Sequence, residues 1–167
     1  MARLGGIWLG LAALLVAPLT LAAASQAGNP RLGAPHGTTG YDPELARRLG
    51  ADERGMRAYV LVILKTGPTP VTDAERRKAM FAGHFANMDR LVKEGRLVMA
   101  GPFSSDPAGW RGLFLLAVDD LDEARRLTET DPVIVNGEMV AEYHRWYGSA
   151  GAMMLPELHE RVAPKSP

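Results

Sequence analysis

Cysteine is absent from this 167-residue chain, and neither sign of charge is in excess. Without cysteine there are no disulfides, no thiol catalysis and no cysteine-ligated metal. The 19 basic residues balance the 19 acidic ones, and no basic stripe with interleaved aromatic residues is present. This composition argues against a nucleic-acid partner. The length suits one domain with an ordinary apolar core.

Charge is nearly missing from the N-terminus, where Arg3 is the only charged residue among the first 30. An apolar run over residues 4–21 is followed by small residues at the spacing that signal peptidase accepts, and this pattern predicts a signal peptide over residues 1–27. Cleavage after Ala24 and cleavage after Ala27 fit equally. The alternative is an uncleaved anchor, since the run approaches the length of a membrane span. We expect an exported protein, periplasmic or secreted, that leaves the membrane after cleavage.

The rest of the chain divides into three parts. Residues 28–55 begin rich in Gly, Pro and Thr, which predicts a flexible arm with one short helix opened by Asp42. Residues 56–148 carry the regular hydrophobic patterns of a domain. Residues 149–167 form a tail whose apolar residues recur at helical spacing.

Within the domain the patterns alternate between strand and helix. Strands are predicted over 57–65, 96–103, 110–118 and 138–147. Helices are predicted over 72–94, with Thr72 and Glu75 as a capping box, and over 120–130, with one more helical turn after Asp131. The order β-α-β-β-α-β predicts an α+β, ferredoxin-like fold. The strands are apolar on both faces although helices cover only one, so we expect a homodimer in which two sheets pack together.

His84 lies within the apolar stripe of the long predicted helix, between Phe81, Phe85 and Met88. One interpretation is a buried core histidine held by a single hydrogen bond. The other is an acid–base group, because a titratable ring on an apolar face can be tuned by its surroundings. Asp131 precedes Pro132 and has an explanation of its own as the cap of the next turn.

Other features carry weaker signals. Gly101, Pro102 and Phe103 end the second strand, and they form either a simple bend or the wall of a pocket that a ligand can approach closely. The histidines have no metal-ligand spacing, and the glycines match no phosphate-binding fingerprint. We therefore predict no cofactor and no metal.

The domain resembles the YCII-related (YciI-like) domain family, in what looks like an exported branch. The resemblance rests on the strand RAYVL, on His84, on the segment LVKEGRLVMAGP at residues 91–102, on Asp131-Pro132 with Gly137, and on Trp146. It implies a dimeric α/β barrel and a histidine–aspartate site at His84 and Asp131. Most members have no established reaction, and one relative is similar to a dehydrochlorinase acting on a chlorinated hydroxyquinol.

Three functions follow from these observations. The first is a cofactor-independent lyase- or isomerase-type enzyme that uses His84 and Asp131 on a small apolar or aromatic molecule. The second is a binding protein in which the same pocket only captures a small ligand. The third is a structural dimer module. The sequence leaves open whether the protein is an enzyme.

Overall fold

The computed structural model describes residues 40–163. The predicted signal peptide, the first part of the arm and the last four residues of the tail lie outside the described residues. Within residues 40–163, no helix combines the length and apolar character needed to cross a bilayer.

The described part of the chain contains a four-stranded sheet with helices before, between and after its strands. The strands are β1 (Met56–Thr66), β2 (Leu97–Pro102), β3 (Trp110–Leu116) and β4 (Met139–Ser149). The helices are α1 (Pro43–Arg48), α2 (Ala74–Lys93), α3 (Leu121–Thr128), α4 (Pro132–Val135) and α5 (Leu155–Val162), and a 3₁₀ segment (Ala150–Met154) leads into α5.

The sheet is antiparallel throughout, with the strand order β2-β3-β1-β4. Long β1 pairs with β4 on one side and with β3 on the other. The predicted α+β class and the β-α-β-β-α-β order are therefore confirmed. The dimeric barrel concerns two chains and stays a prediction.

Capping residues fix where the helices begin. The helix α2 starts from Asp73, whose carboxylate accepts the N–H of Arg76, so the predicted Thr72–Glu75 capping box is wrong by one residue. Aspartate is the stronger cap because its charged oxygen reaches the free N–H groups of the first turn.

The helix α2 ends before Gly95, whose φ of +67° is the left-handed conformation that glycine adopts without strain. Asp120, the first residue of the helix predicted over 120–130, caps α3 by accepting the N–H of Glu123.

The main core lies between the sheet and the helices. Alternate residues of β1 point to this side, because side chains along a strand alternate between the two faces. Val60, Val62 and Leu64 are buried there against Leu91 of α2 and Val133 of α4. This packing holds α2 and α4 on one face of the sheet, where they carry the candidate site residues.

The opposite face of the sheet is partly covered by the chain's own tail. Tyr59, Val98 and Leu115 form a second buried cluster, with Ala152 and Met153 packed against it. The 3₁₀ segment and α5 therefore close the β2–β3 side of this face within one chain. Within residues 40–163 the β4 side is left less covered, and Trp146 there is 44% exposed.

The described end of the arm is tied to the sheet. Arg57 donates to the carbonyl of Leu49 at 2.9 Å, and the Tyr147 hydroxyl hydrogen-bonds the Asp52 carboxylate. This carboxylate raises the pKa of Tyr147, because the neutral hydroxyl donates a hydrogen bond to it that the ionised side chain would lose. Residues 49–52 thus sit beside β1 and β4.

Candidate active site

His84 and Asp131 are in direct contact, 47 positions apart in the chain. Nδ1 of His84 lies 2.9 Å from Oδ1 and 2.8 Å from Oδ2 of Asp131. The carboxylate is fully buried, and the His84 side chain is 10% exposed. Because a carboxylate only accepts hydrogen bonds, it selects the tautomer with the proton on Nδ1.

The Asp131 carboxylate has further partners that offset its burial. Oδ1 accepts the backbone N–H of Val133 at 3.1 Å, so Asp131 also caps α4. Oδ2 accepts the side-chain amide of Asn87 at 3.2 Å, and Asn87 is itself held by Arg90 at 2.8 Å. The capping role and the contact with the imidazole therefore coexist on one carboxylate, as its two oxygens allow.

Aromatic side chains fix the plane of the imidazole. The ring of Phe114 stacks on His84 with centroids 5.9 Å apart and an interplanar angle of 24°. Phe81 meets the same ring edge-on at 6.1 Å. No described residue hydrogen-bonds Nε2 of His84. Asp131 therefore holds one ring nitrogen of His84, and the other has no hydrogen-bond partner among the described residues.

An apolar cavity of about 300 Å³ lies against His84. Its lining comes from α2, from the ends of β1, β2 and β3, and from the start of β4, and consists of Leu64, Phe81, His84, Phe85, Met88, Gly101, Pro102, Phe103, Arg111, Gly112, Leu113, Phe114 and Met139. The predicted pocket residues Gly101, Pro102 and Phe103 all lie in this wall. Asp131 does not line it and stands behind His84. The volume is at the lower end of the range for small-molecule sites.

Arg111 brings the only formally charged side chain into this lining. Its Nη2 lies 3.7 Å from Oε1 of Glu138, a carboxylate that is 2% exposed. Burial alone would raise the pKa of Glu138, but the N–H of Val71 and the guanidinium groups of Arg77 and Arg111 outweigh it and hold that pKa below its ordinary value. A second polar cluster thus borders the cavity.

The other histidines lie away from this site. His144 is half exposed on β4 and pairs with Glu142 at 2.9 Å. His159 is exposed on α5, and His36 lies outside the described residues. Among residues 40–163, no group of three potential metal ligands comes together.

Sequence reasoning missed three residues of this region. Asn87 could have been found, because it lies three residues after His84 and so shares its helix face. Arg111 and Glu138 are brought together only by the fold. Neither has a local signal in the sequence.

The fold and the site thus define a class of protein. It is a ferredoxin-like α+β domain with a buried histidine–aspartate pair beside an apolar cavity. The profile of the YCII-related domain matches residues 58–146, and the chain belongs to this family. It is also 38% identical over 65 residues to the uncharacterized protein YjpA of Bacillus subtilis (strain 168), across 39% of this chain and 73% of that one.

A similarity to a solved structure is weaker. The 5-chloro-2-hydroxyhydroquinone dehydrochlorinase TftG of Burkholderia phenoliruptrix AC1100, in complex with 2,5-dihydroxybenzoquinone, superposes with a TM-score of 0.40 at 20% identity. The superposition covers 53% of this chain and 92% of that one. At this level the similarity carries no argument about activity.

Proposed function

We propose that this protein is a cofactor-independent acid–base enzyme that performs a lyase- or isomerase-type proton transfer on a small apolar or aromatic molecule. One observation carries the proposal: the imidazole of His84 is held through Nδ1 by a fully buried carboxylate while its ring borders an apolar cavity. An aspartate in this position orients a histidine for proton transfer.

In the proposed reaction, His84 acts as a general base through Nε2. A C–H or O–H proton of the substrate moves to Nε2, and its electron pair enters a new double bond. The proton then returns to another atom of the substrate, or a leaving group departs with its bonding electron pair and takes the proton from Nε2, which restores the neutral imidazole. Asp131 stabilises the imidazolium that exists between proton uptake and proton release. Phe114, which stacks on the imidazole, fixes the orientation of the ring. A positioned base of this kind typically contributes roughly 10²–10⁴-fold to the rate.

The size of the cavity limits the substrate. An apolar cavity of roughly 150 Å³ accommodates benzene. A volume of about 300 Å³ therefore suits a substituted single ring or a short branched chain. Larger molecules would have to extend into solvent.

Proton abstraction can be tested without knowing the product. A panel of one-ring carbon acids in D₂O is followed by NMR for deuterium incorporation catalysed by the protein. We expect at least one compound to exchange, and His84→Gln to slow that exchange by roughly 10²-fold or more with the fold retained. The matched control is His144→Gln, which changes an exposed histidine outside the cavity. Exchange that survives in folded His84→Gln would overturn the proposal.

A binding protein is the second candidate, and it is favoured by the mostly apolar lining of the cavity. In that case His84 only donates or accepts one hydrogen bond. Ligands would then bind to the wild type without exchange or conversion, and His84→Gln would weaken their binding modestly. A purely structural module has no need of open space beside a polar pair.

Export belongs to the same proposal and rests on the apolar run and its alanine-rich end. N-terminal sequencing of the protein from its native host should show a chain that begins at Ser25 or Gly28. A membrane-bound chain that retains Met1 or Ala2 would contradict it.

A further inference from the structure

Among the side chains that line the cavity, Arg111 has the only fixed charge, and the proposed acid–base reaction assigns it no role. The rest of the lining is apolar apart from His84. A guanidinium stays protonated at any ordinary pH. The cavity therefore presents a permanent cation to its contents.

A break in the strand register accounts for the place of Arg111. Leu64 of β1 pairs with Gly112, but Lys65 pairs with Trp110, so Arg111 is an extra residue in β3. In an unbroken strand Arg111 would share a face with Leu115, which packs on the side of the sheet opposite to α2 and α4. The bulge turns it instead toward the cavity and Glu138, as bulges commonly redirect side chains. Gly101, which also lines the cavity, has no atom within 4 Å of the place a Cβ would take, so the adjoining space is open.

Glu138 does not neutralise the positive charge of Arg111. Its Oε1 already accepts from Arg77 at 2.5 Å, and its Oε2 accepts the backbone N–H of Val71 at 2.8 Å. The nearest nitrogen of Arg111 is 3.7 Å away, beyond hydrogen-bond distance. Two guanidinium groups thus face one carboxylate, which leaves one net positive charge. The Arg111 side chain is 32% exposed and can reach a ligand.

We propose that Arg111 makes the cavity selective for small anions, namely one-ring or short-chain acids whose planar carboxylate pairs with its guanidinium. The part that Arg111 plays in catalysis rests on the proposed function. The planar fork of arginine matches a carboxylate with two parallel hydrogen bonds. When a proton next to such a group is removed by His84, the new negative charge spreads onto the same oxygens and Arg111 stabilises it.

The selectivity can be measured as binding alone, with benzoate and its neutral isostere benzamide as the probes. Titrations followed by calorimetry or by amide NMR shifts should show benzoate binding about 10-fold more tightly than benzamide, equivalent to roughly 1.4 kcal/mol. Arg111→Gln should remove this preference without weakening benzamide, and Arg111→Lys should keep part of it. Added salt should weaken benzoate only. Arg76→Gln, an exposed change outside the cavity, should leave both affinities unchanged.

Glu138→Gln should change the affinity for benzoate in the opposite direction to Arg111→Gln. If Glu138 draws charge away from the site, its neutralisation should tighten benzoate binding while benzamide stays the same. If Arg111 served only as a counter-ion to Glu138, Glu138→Gln would leave the affinities for benzoate and for benzamide unchanged. Urea denaturation of each variant checks that it is folded.

The outcomes separate this inference from the proposed function. Equal affinities for the two probes, no binding of either, or a preference that survives in Arg111→Gln would overturn the anion site. A preference for benzoate with proton exchange that does not depend on His84 would keep the anion site and reject the acid–base function. His84→Gln should therefore retain the preference for benzoate.

Discussion

Gly83 of α2 and Pro132 of α4 touch where the two helices cross. A Cβ atom placed on Gly83 would lie 2.9 Å from Cγ of Pro132, closer than side chains in proteins approach. These residues directly adjoin His84 and Asp131 in the chain. The missing side chain of Gly83 thus permits the approach that brings the imidazole within hydrogen-bond distance of the carboxylate.

Gly83→Ala should disturb the geometry of the His84–Asp131 pair while changing the stability of the fold little. Alanine favours the helix by about 0.8–1 kcal/mol over glycine, which offsets much of the clash, so the thermal midpoint should change little. The proline ring must move away by several tenths of an ångström, and Asp131 moves with it. We expect weaker coupling between Asp131 and His84, seen as a change in the ¹⁵N shifts of the imidazole and as lower activity.

Pro132→Ala provides the control for this effect. It removes the ring atom that the new Cβ meets, so the double variant Gly83→Ala/Pro132→Ala should recover the imidazole shifts of Pro132→Ala alone. Shifts that stay altered in the double variant would show that Gly83 acts in some other way.

Asp131→Asn should change which ring nitrogen of His84 carries the proton. The amide can present its NH₂ group to the ring, and Nδ1 would then lose its proton to Nε2. Long-range ¹H–¹⁵N spectra should show protonated Nδ1 in the wild type and a shift toward protonated Nε2 in the variant, with activity lost. The free energy of unfolding should fall by about 1–3 kcal/mol, because buried partners are left less well satisfied.

Asp73→Asn is the matched change at an exposed helix cap. It should leave the His84 tautomer unaltered and cost little stability, since asparagine caps about as well as aspartate. An unchanged tautomer in Asp131→Asn would mean that Asp131 does not set the protonation of the ring.

Glu138 should make stability depend on pH in the acid range. Its pKa is lowered from 4.5 in the folded state, so its contribution is fully present above about pH 4.5 and is lost as the pH falls through the folded pKa. Glu138→Gln should therefore reduce the free energy of unfolding by about 1–3 kcal/mol near neutral pH and by much less at strongly acid pH. Urea denaturation at the two pH values measures the difference.

Glu94→Gln serves as its control, because Glu94 forms an exposed i,i+4 pair with Arg90. Such pairs contribute little, so this variant should follow the wild type at both pH values. If Glu138→Gln were equally destabilising at both, the ionised form of Glu138 would not be what stabilises the fold.

The open half of the second sheet face should form a homodimer. Trp146 and Val140 are exposed on β4 beyond the area that the tail covers, and Tyr59 supports Trp146 with ring centroids 5.4 Å apart. Light scattering on a chain that begins at Gly28 should give twice the chain mass, for an interface of roughly 1,200 Å² or more. Trp146→Lys should give a monomer, whereas Phe85→Lys on the helix side should not. A stable wild-type monomer at micromolar concentration would exclude the dimer.

The bounds of the four strands and of α2 and α3 could be predicted from the sequence to within two residues. The alternation of β1, the apolar stripe of α2 and the caps at Asp120 and Asp131 are local patterns, each contained within a few turns or residues. The misplaced cap at Thr72 shows the usual error, since a neighbouring aspartate competes for the same N–H groups. The family resemblance placed His84 beside Asp131, whereas each residue alone also suited a core or capping role.

The sequence by itself determined the order of strands and helices and the absence of cysteine chemistry, and its resemblance to a family predicted a site at His84 and Asp131. The tertiary structure decided what surrounds that pair. The bulge that redirects Arg111, the approach of Pro132 to Gly83 and the cover that Met153 gives the second sheet face all join distant parts of the chain. Such contacts depend on register and packing, which no local pattern of residues encodes.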